Sequence, residues 1–259
     1  MNERSFGEQM FKIERRGGVA ALTMARGPVN AINREWIDGF SDILDDIGQD
    51  PAISVLLIRS SERTFSAGAD LKLMRECFAT TDGPDAMVET VRRMQSLYDR
   101  IETLPQVSIA EIGGAAHGGG FELALACDLR IAADTAPLGL PETRLGLLPG
   151  AGGTQRLSRL AGPGIARRMI LAAEVVTGAE AQTLGLVQWA VPAAELAAFA
   201  EATAQRIAAL SPGALAACKR CFGVIDASLD PGLLVERLET RKLLDTPDTR
   251  SRVAAFLDR

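Results

Sequence analysis

The chain has 259 residues, 47% of them hydrophobic and 24% charged, with a formal net charge of −5. That length suits one large domain or a domain with a small appendage, and the composition excludes a disordered chain, a collagen and a disulfide scaffold. The acidic balance, with no run of five basic residues, argues against nucleic acid or an anionic membrane surface as a partner.

Met1 to Arg16 is scattered with charge and does not read as a secretory signal peptide. Val19 to Met24 reads as a strand between Gly17-Gly18 and Arg26-Gly27-Pro28. Asn33 is placed to cap a helix running to about Ile47, with Trp36, Ile37, Phe40, Ile43, Leu44 and Ile47 at helical spacing. Ser54 to Arg59 is an apolar run of strand length, suited to a sheet covered on both faces. A loop is expected over Ser60 to Lys72. A strong amphipathic helix follows over Asp85 to Glu102, with Val88, Val91, Met94, Leu97, Tyr98 and Ile101 on one side. Strands are expected at Val107 to Ile112 and Leu129 to Ala133. This alternation implies parallel strands joined by right-handed crossovers. From Gly152 onward the pattern is mostly helical, with one short strand near Leu186 to Val191. Helices are expected over Ala193 to Ala209, Pro212 to Phe222, Gly232 to Leu244 and Asp248 to Leu257. The longest stretch without a charged residue, Ala181 to Ala194, has 14 residues, fewer than the roughly 20 a membrane helix needs. The four cysteines, Cys77, Cys127, Cys218 and Cys221, are too few for a stapled secreted fold, so a reducing cytoplasm is expected.

Three segments carry chemistry. His117-Gly118-Gly119-Gly120-Phe121-Glu122 follows a strand and opens a helix. Its glycines admit a close backbone approach and leave amide N–H groups free at a helix N-terminus, where an anion or a developing oxyanion is stabilised. The plain alternative is a tight turn. Phe65 to Lys72 also follows a strand at the same end of the sheet, where ligands of open parallel sheets sit. The two turns can each direct one N–H into a shared cleft. Glu122 and Glu142 form the third feature, since two carboxyls facing one water supply an acid and a base when their environments separate their pKa values. Against this, an acidic residue in a first helical turn also complements the helix dipole. His117 is the only histidine and no G-x-S-x-G elbow exists, so a serine triad is disfavoured. Cys218 and Cys221 have CxxC spacing without a second pair or a histidine, and Asp70, Asp128 and Asp134 suit turns or helix caps better than metal ligation.

Together, FSAGADLK (Phe65 to Lys72), HGGGFELALACD (His117 to Asp128), PETRLGLLPGAGGTQRL (Pro141 to Leu157) and VAAFLDR (Val253 to Arg259) resemble the crotonase, or enoyl-CoA hydratase/isomerase, family over nearly the whole chain. The resemblance implies an α/β fold with a core of repeated ββα units (residues 1–195) and a helical C-terminal region (196–259) that makes trimer contacts. It implies an acyl-coenzyme A thioester as substrate, with the N–H groups of Ala69 and Gly119 forming an oxyanion hole and with Ala67, Asp70, Leu71 and Lys72 along the path of the CoA moiety. Both family acids are present, as Glu122 and Glu142, which favours hydration of a 2-enoyl-CoA. In that reading Glu122 activates the water, and Glu142 holds it and delivers a proton to C2. No metal or nicotinamide is required, and the expected assembly is a homotrimer or a dimer of trimers, supported by the stripe Leu233, Leu234, Leu238 and Leu243. The alternatives are an enoyl-CoA isomerase, in which one carboxylate shuttles a proton, or a non-catalytic crotonase-like binding protein. The family's R-P-x-x-N stands here as Arg26-Gly27-Pro28-Val29-Asn30, and Glu111 and Gly113 replace the usual Ala and Asn. Glu111 is expected to be satisfied by a nearby donor.

Overall fold

The structure, a computed structural model, describes residues 10–224 together with 237, 238, 242, 246–249 and 251. Most of the helices expected over Gly232 to Leu244 and Asp248 to Leu257, with most of their apolar stripe, lies outside the described residues.

The chain begins with a hairpin. Gly17 and Gly18 both take positive φ, 57° and 82°, and their twist lets a two-residue turn join β1 (Phe11–Arg16) to β2 (Val19–Met24) in antiparallel register. β1 carries no sequence signal because it is an edge strand on which only Phe11 is buried. Helix α1 (Arg34–Gly48) is the expected one, and the side chain of Asn33 accepts the Trp36 N–H at 2.9 Å. Its buried face carries Trp36, Ile37, Phe40, Ile43, Leu44 and Ile47, and Phe11 packs tilted against Trp36 and edge-on against Phe40. β3 (Val55–Ser60) follows. The expected long loop then ends early, because the Asp70 side chain caps α2 (Leu71–Phe78). α3 (Gly83–Thr103) is the long amphipathic helix, although Val88 is exposed and not on its buried side. The middle of the chain runs through β4 (Val107–Ile112), β5 (Ala116–His117), α4 (Gly119–Ala126), β6 (Leu129–Ala133) and β7 (Leu138–Gly139). A single 3₁₀ turn, Glu142–Leu145, leads to α5 (Gly153–Leu171), which kinks where Gly162 takes φ 83° before Pro163. β8 (Val175–Val176), α6 (Gly178–Thr183), β9 (Trp189–Val191), α7 (Leu196–Ala208) and α8 (Pro212–Phe222) complete the described order.

The strands form a six-stranded sheet, β1-β2-β3-β4-β6-β9, and a three-stranded one, β5-β7-β8. All pairings of the large sheet beyond the hairpin are parallel. Single bridges from Ile32 to Ala69 and from Ser66 to Ala116 continue the small sheet. β2, β3, β4 and β6 are thus each followed by a short extended segment in a second layer and then by a helical segment, whereas β9 leads straight to α7. This is a mixed α/β spiral of ββα units. β3 and β4 are buried along almost all their length, as expected of strands covered on both faces. α7, the first helix beyond residue 195, packs its Leu196, Ala200 and Ala204 into the same core as the sheet, so it is a covering layer of the spiral. No helix among the described residues is long and apolar enough to cross a membrane.

The Asn33 cap holds the start of the helix that closes the hairpin end of the core. Asn33→Ala should lower the unfolding free energy by about 1 kcal/mol. A urea midpoint shift at constant slope would measure this, and an unmoved midpoint would show that water replaces the cap at no cost.

Candidate active site

Because β3 and β4 are parallel neighbours, the loops leaving their carboxyl ends emerge on one edge of the sheet. The Ser66–Asp70 loop and the His117–Gly120 turn meet there. Gly68 takes φ 88°, and a Cβ on it would lie 2.8 Å from the His117 carbonyl oxygen and 2.9 Å from the Gly119 nitrogen. A Cβ on Gly119 would lie 3.5 Å from the Ala69 nitrogen. The surrounding amides are engaged. Gly68 N–H donates to Ser66 Oγ, Asp70 N–H to the Ile32 carbonyl, and Gly118 N–H to the Gly139 carbonyl. Among the described residues no acceptor meets the N–H of Ala69 or of Gly119. Both residues line one cavity of about 200 Å³.

The same cavity is lined by both candidate acids. Glu122 is in the first turn of α4, a helix whose eight residues are all buried. Its Oε1 accepts the Gly153 N–H at 2.7 Å, an amide at the start of α5. Burial outweighs this bond and the helix dipole, and with the Glu142 charge nearby it pushes the Glu122 carboxyl up to about 7. Glu142 opens the 3₁₀ turn and lies against Gly118, whose missing Cβ would be 2.9 Å from Glu142 Oε1. Burial raises its pKa as well, and its Oε2 is buried with no partner among the described residues. The Glu142 charge resists ionisation of Glu122, so Glu122 is the carboxyl of the pair that keeps its proton toward neutral pH.

Ala67, Ala69 and Leu71 line the cavity, whereas Asp70 and Lys72 do not. The Asp70 carboxylate accepts the Lys72 N–H at 2.9 Å and pairs with Arg26 at 2.8 Å. Despite partial burial, that guanidinium and the amide hold its pKa below the usual value. Arg26 also donates to the Ala31 carbonyl and, through its amide, to Asn30 Oδ1. The shifted proline segment thus braces the Ser66–Asp70 loop. His117 lines the cavity too, and burial followed by the Arg144 charge lowers its pKa. Glu111 departs from expectation. It is 9% exposed on β4, its Oε2 has no partner among the described residues, and burial raises its pKa. Arg59, its neighbour on β3, is drawn to Glu14 and Thr23.

The remaining wall is apolar, with Met74, Met87, Val91, Met94, Leu145 and Leu148. Sequence reasoning placed Val91 and Met94 on the apolar side of a helix, and helical spacing alone does not separate a core stripe from a cavity wall. Two unengaged amides on one cavity wall suit a carbonyl that gains negative charge. Two carboxyls sharing a proton beside it suit a water or an acidic carbon.

A family model described as enoyl-CoA hydratase/isomerase matches residues 14–252, and the chain belongs to that family. A probable enoyl-CoA hydratase of Bacillus subtilis is 38% identical over 243 residues, 93% of each chain. A probable mitochondrial enoyl-CoA hydratase of Arabidopsis thaliana is 40% identical over 232 residues, covering 89% of this chain and 75% of that protein. The crystal structure of an enoyl-CoA hydratase from Bacillus anthracis superposes with a TM-score of 0.91 at 33% identity, over 96% of each chain.

A methyl group on Gly119 would lie 2.7 Å from Met94 Cε, the movable end of a flexible side chain, and would enter the cavity beside the free amides. Gly119→Ala should therefore keep its melting temperature within a few degrees while kcat falls by roughly 100-fold through displacement of the bound carbonyl. A folded Gly119→Ala protein with unimpaired turnover would remove this turn from the reacting centre.

Proposed function

We propose that this protein is an enoyl-CoA hydratase that adds water across the C2=C3 bond of a 2-enoyl-CoA thioester. The observation that carries the reading is the pair of buried carboxyls, Glu122 and Glu142, lining the same cavity as the unengaged N–H groups of Ala69 and Gly119. The thioester carbonyl binds between those two N–H groups. As the water oxygen bonds to C3, the π electrons move toward C2 and the carbonyl oxygen, where the two donors stabilise the charge. Losing one such donor typically costs about 3–4 kcal/mol. One carboxylate takes the proton released by the water, and the other delivers a proton to C2. The sequence argument gives the water to Glu122 and the C2 proton to Glu142. Burial and the Glu142 charge favour the proton on Glu122 in the ligand-free cleft, so this division requires the proton to pass to Glu142 when substrate and water enter. The reaction needs no metal and no nicotinamide, and CoA enters as part of the substrate along Ala67, Ala69 and Leu71.

The two carboxyls titrate as a unit. With both protonated no base remains, and with both ionised there is no proton to give C2. kcat/KM should therefore be bell-shaped, with an alkaline limb near pH 7, where Glu122 loses its proton. Glu122→Gln and Glu142→Gln should each lower kcat by roughly 100-fold or more with thioester binding nearly intact. The assay is loss of the conjugated enoyl chromophore with 2-enoyl thioesters, and 3-enoyl thioesters run beside it. A pH profile flat from about 6 to 9, or turnover of the 3-enoyl series alone, would overturn hydration.

The assembly we propose is a homotrimer or a dimer of trimers. Leu145, Leu148, Leu171, Leu210 and Phe222 are large apolar side chains exposed on the single chain, and such surface is commonly covered by subunit contacts. Sedimentation equilibrium should give a trimer or hexamer mass, and a stable monomer at micromolar concentration would refute it.

A further inference from the structure

We propose that Arg156 and Tyr98, neither of which lines the cavity, are positioning residues that set the carboxylate pair and the oxyanion turn through a single guanidinium. The inference rests on the roles given above to Glu122 and Gly119. Arg156 stands one turn into α5, and its side chain is 8% exposed. Its Nη1 donates to the Ala151 carbonyl at 2.7 Å. Its Nε donates to Glu102 Oε1 at 2.9 Å, and its Nη2 to Asp99 Oδ1 at 2.6 Å. Asp99 and Glu102 belong to α3. The guanidinium therefore ties the turn that opens α5 to the helix that carries the cavity's Val91 and Met94.

Two branches lead from this tie to the cavity. In one, the tethered turn presents the Gly153 N–H to Glu122 Oε1 at 2.7 Å. In the other, the guanidinium carbon stands 5.9 Å from the centre of the Tyr98 ring. The fully buried hydroxyl of Tyr98 donates to the Gly119 carbonyl at 2.7 Å. That bond fixes the peptide immediately after the amide that faces the substrate. The packing leaves little freedom, since a Cβ on Gly152, at φ 103°, would lie 2.1 Å from Arg156 Nη1. The bidentate fork makes the site an arginine site, because an ammonium offers a charge without that planar geometry. The Arg156 charge also favours ionised Glu122, so removing it raises the pKa of that carboxyl, as does loosening the Gly153 amide.

The test is a titration of the Glu122 carboxyl by carbon-13 NMR in the ligand-free protein, together with steady-state kinetics. Arg156→Gln should move the Glu122 midpoint to higher pH and lower kcat by roughly 100-fold, with KM nearly unchanged. Arg156→Lys keeps the charge but not the fork, so it should move the midpoint upward by less than Arg156→Gln does while kcat still falls. Tyr98→Phe should lower kcat without moving the Glu122 midpoint, because it acts on the Gly119 branch alone. It also tests the proposal should Arg156→Gln fail to fold. A folded Arg156→Gln protein with a native Glu122 midpoint, or losses that follow melting temperature alone, would make Arg156 a structural anchor and overturn the proposal. A shifted midpoint in a protein whose native form hydrates no enoyl thioester would uphold the positioning and refute the hydratase reading.

Discussion

The cleft depends on backbone lying directly against backbone, where the Ser66–Asp70 loop meets the His117–Gly120 turn. A Cβ on Gly120 would lie 2.4 Å from the Ser66 carbonyl oxygen, a distance no side chain tolerates. His117 N–H reaches that same oxygen at 3.0 Å, and Ser66 Oγ ties the loop to the Asn30 carbonyl at 2.8 Å. Only glycine allows this approach, and only parallel β3 and β4 deliver both loops to the same edge. The approach brings two unengaged amides to one cavity wall and lets α4 start where it does. The position of Glu122 follows from that start.

The cost of this arrangement falls on Glu122. Helix α4 is buried all round, so its first-turn carboxyl has nowhere to go but the interior. Moving its pKa from 4.5 to about 7 disfavours ionisation by about 3 kcal/mol. The native state then holds this proton more tightly than the unfolded chain does. Its contribution to stability is present below the unfolded pKa and is lost as pH rises through about 7. A residue serving only the fold would be better replaced by an apolar side chain of similar volume. The penalty is understandable where a carboxyl must keep a proton near neutral pH and give up or accept one during turnover.

What the sequence made legible follows the range of each signal. Helix α1 announces itself through the Asn33 cap and six apolar residues at helical spacing, and β3 through an unbroken apolar run. β1 was invisible because an exposed edge strand has no hydrophobic pattern. β5, β7 and β8, at two residues each, are shorter than any period that could reveal them. The glycine turns and both glutamates were legible because each motif is local and chemically unusual. Arg156 and Tyr98 were not, since the distances that matter run from α5 to α3 and from α3 to α4. Tyr98 looked like one more member of a core stripe. The capping role of Asp70 was legible from its residue type, whereas its pairing with Arg26 was not, since that contact spans 44 residues.

The cavity has two ends built on opposite physical terms. At the reacting end, glycine backbone, a tyrosine hydroxyl and an arginine fork fix atoms by hydrogen bonds of defined direction, and small displacements there are costly. At the other end, Met74, Met87, Met94 and the partly exposed Leu145 and Leu148 offer apolar contact without direction. Methionine repacks around different shapes at low cost. The division separates two demands on one ligand. Alignment of a carbonyl must be the same for every substrate, whereas contact with an acyl chain must tolerate differences between substrates. Met94 stands at the join, its Cε 2.7 Å from where a Gly119 methyl would be. Crowding at the adaptable end therefore reaches the fixed end through Met94, and in the hydratase reading proposed above the acyl groups accepted are those that leave it clear of the Gly119 turn.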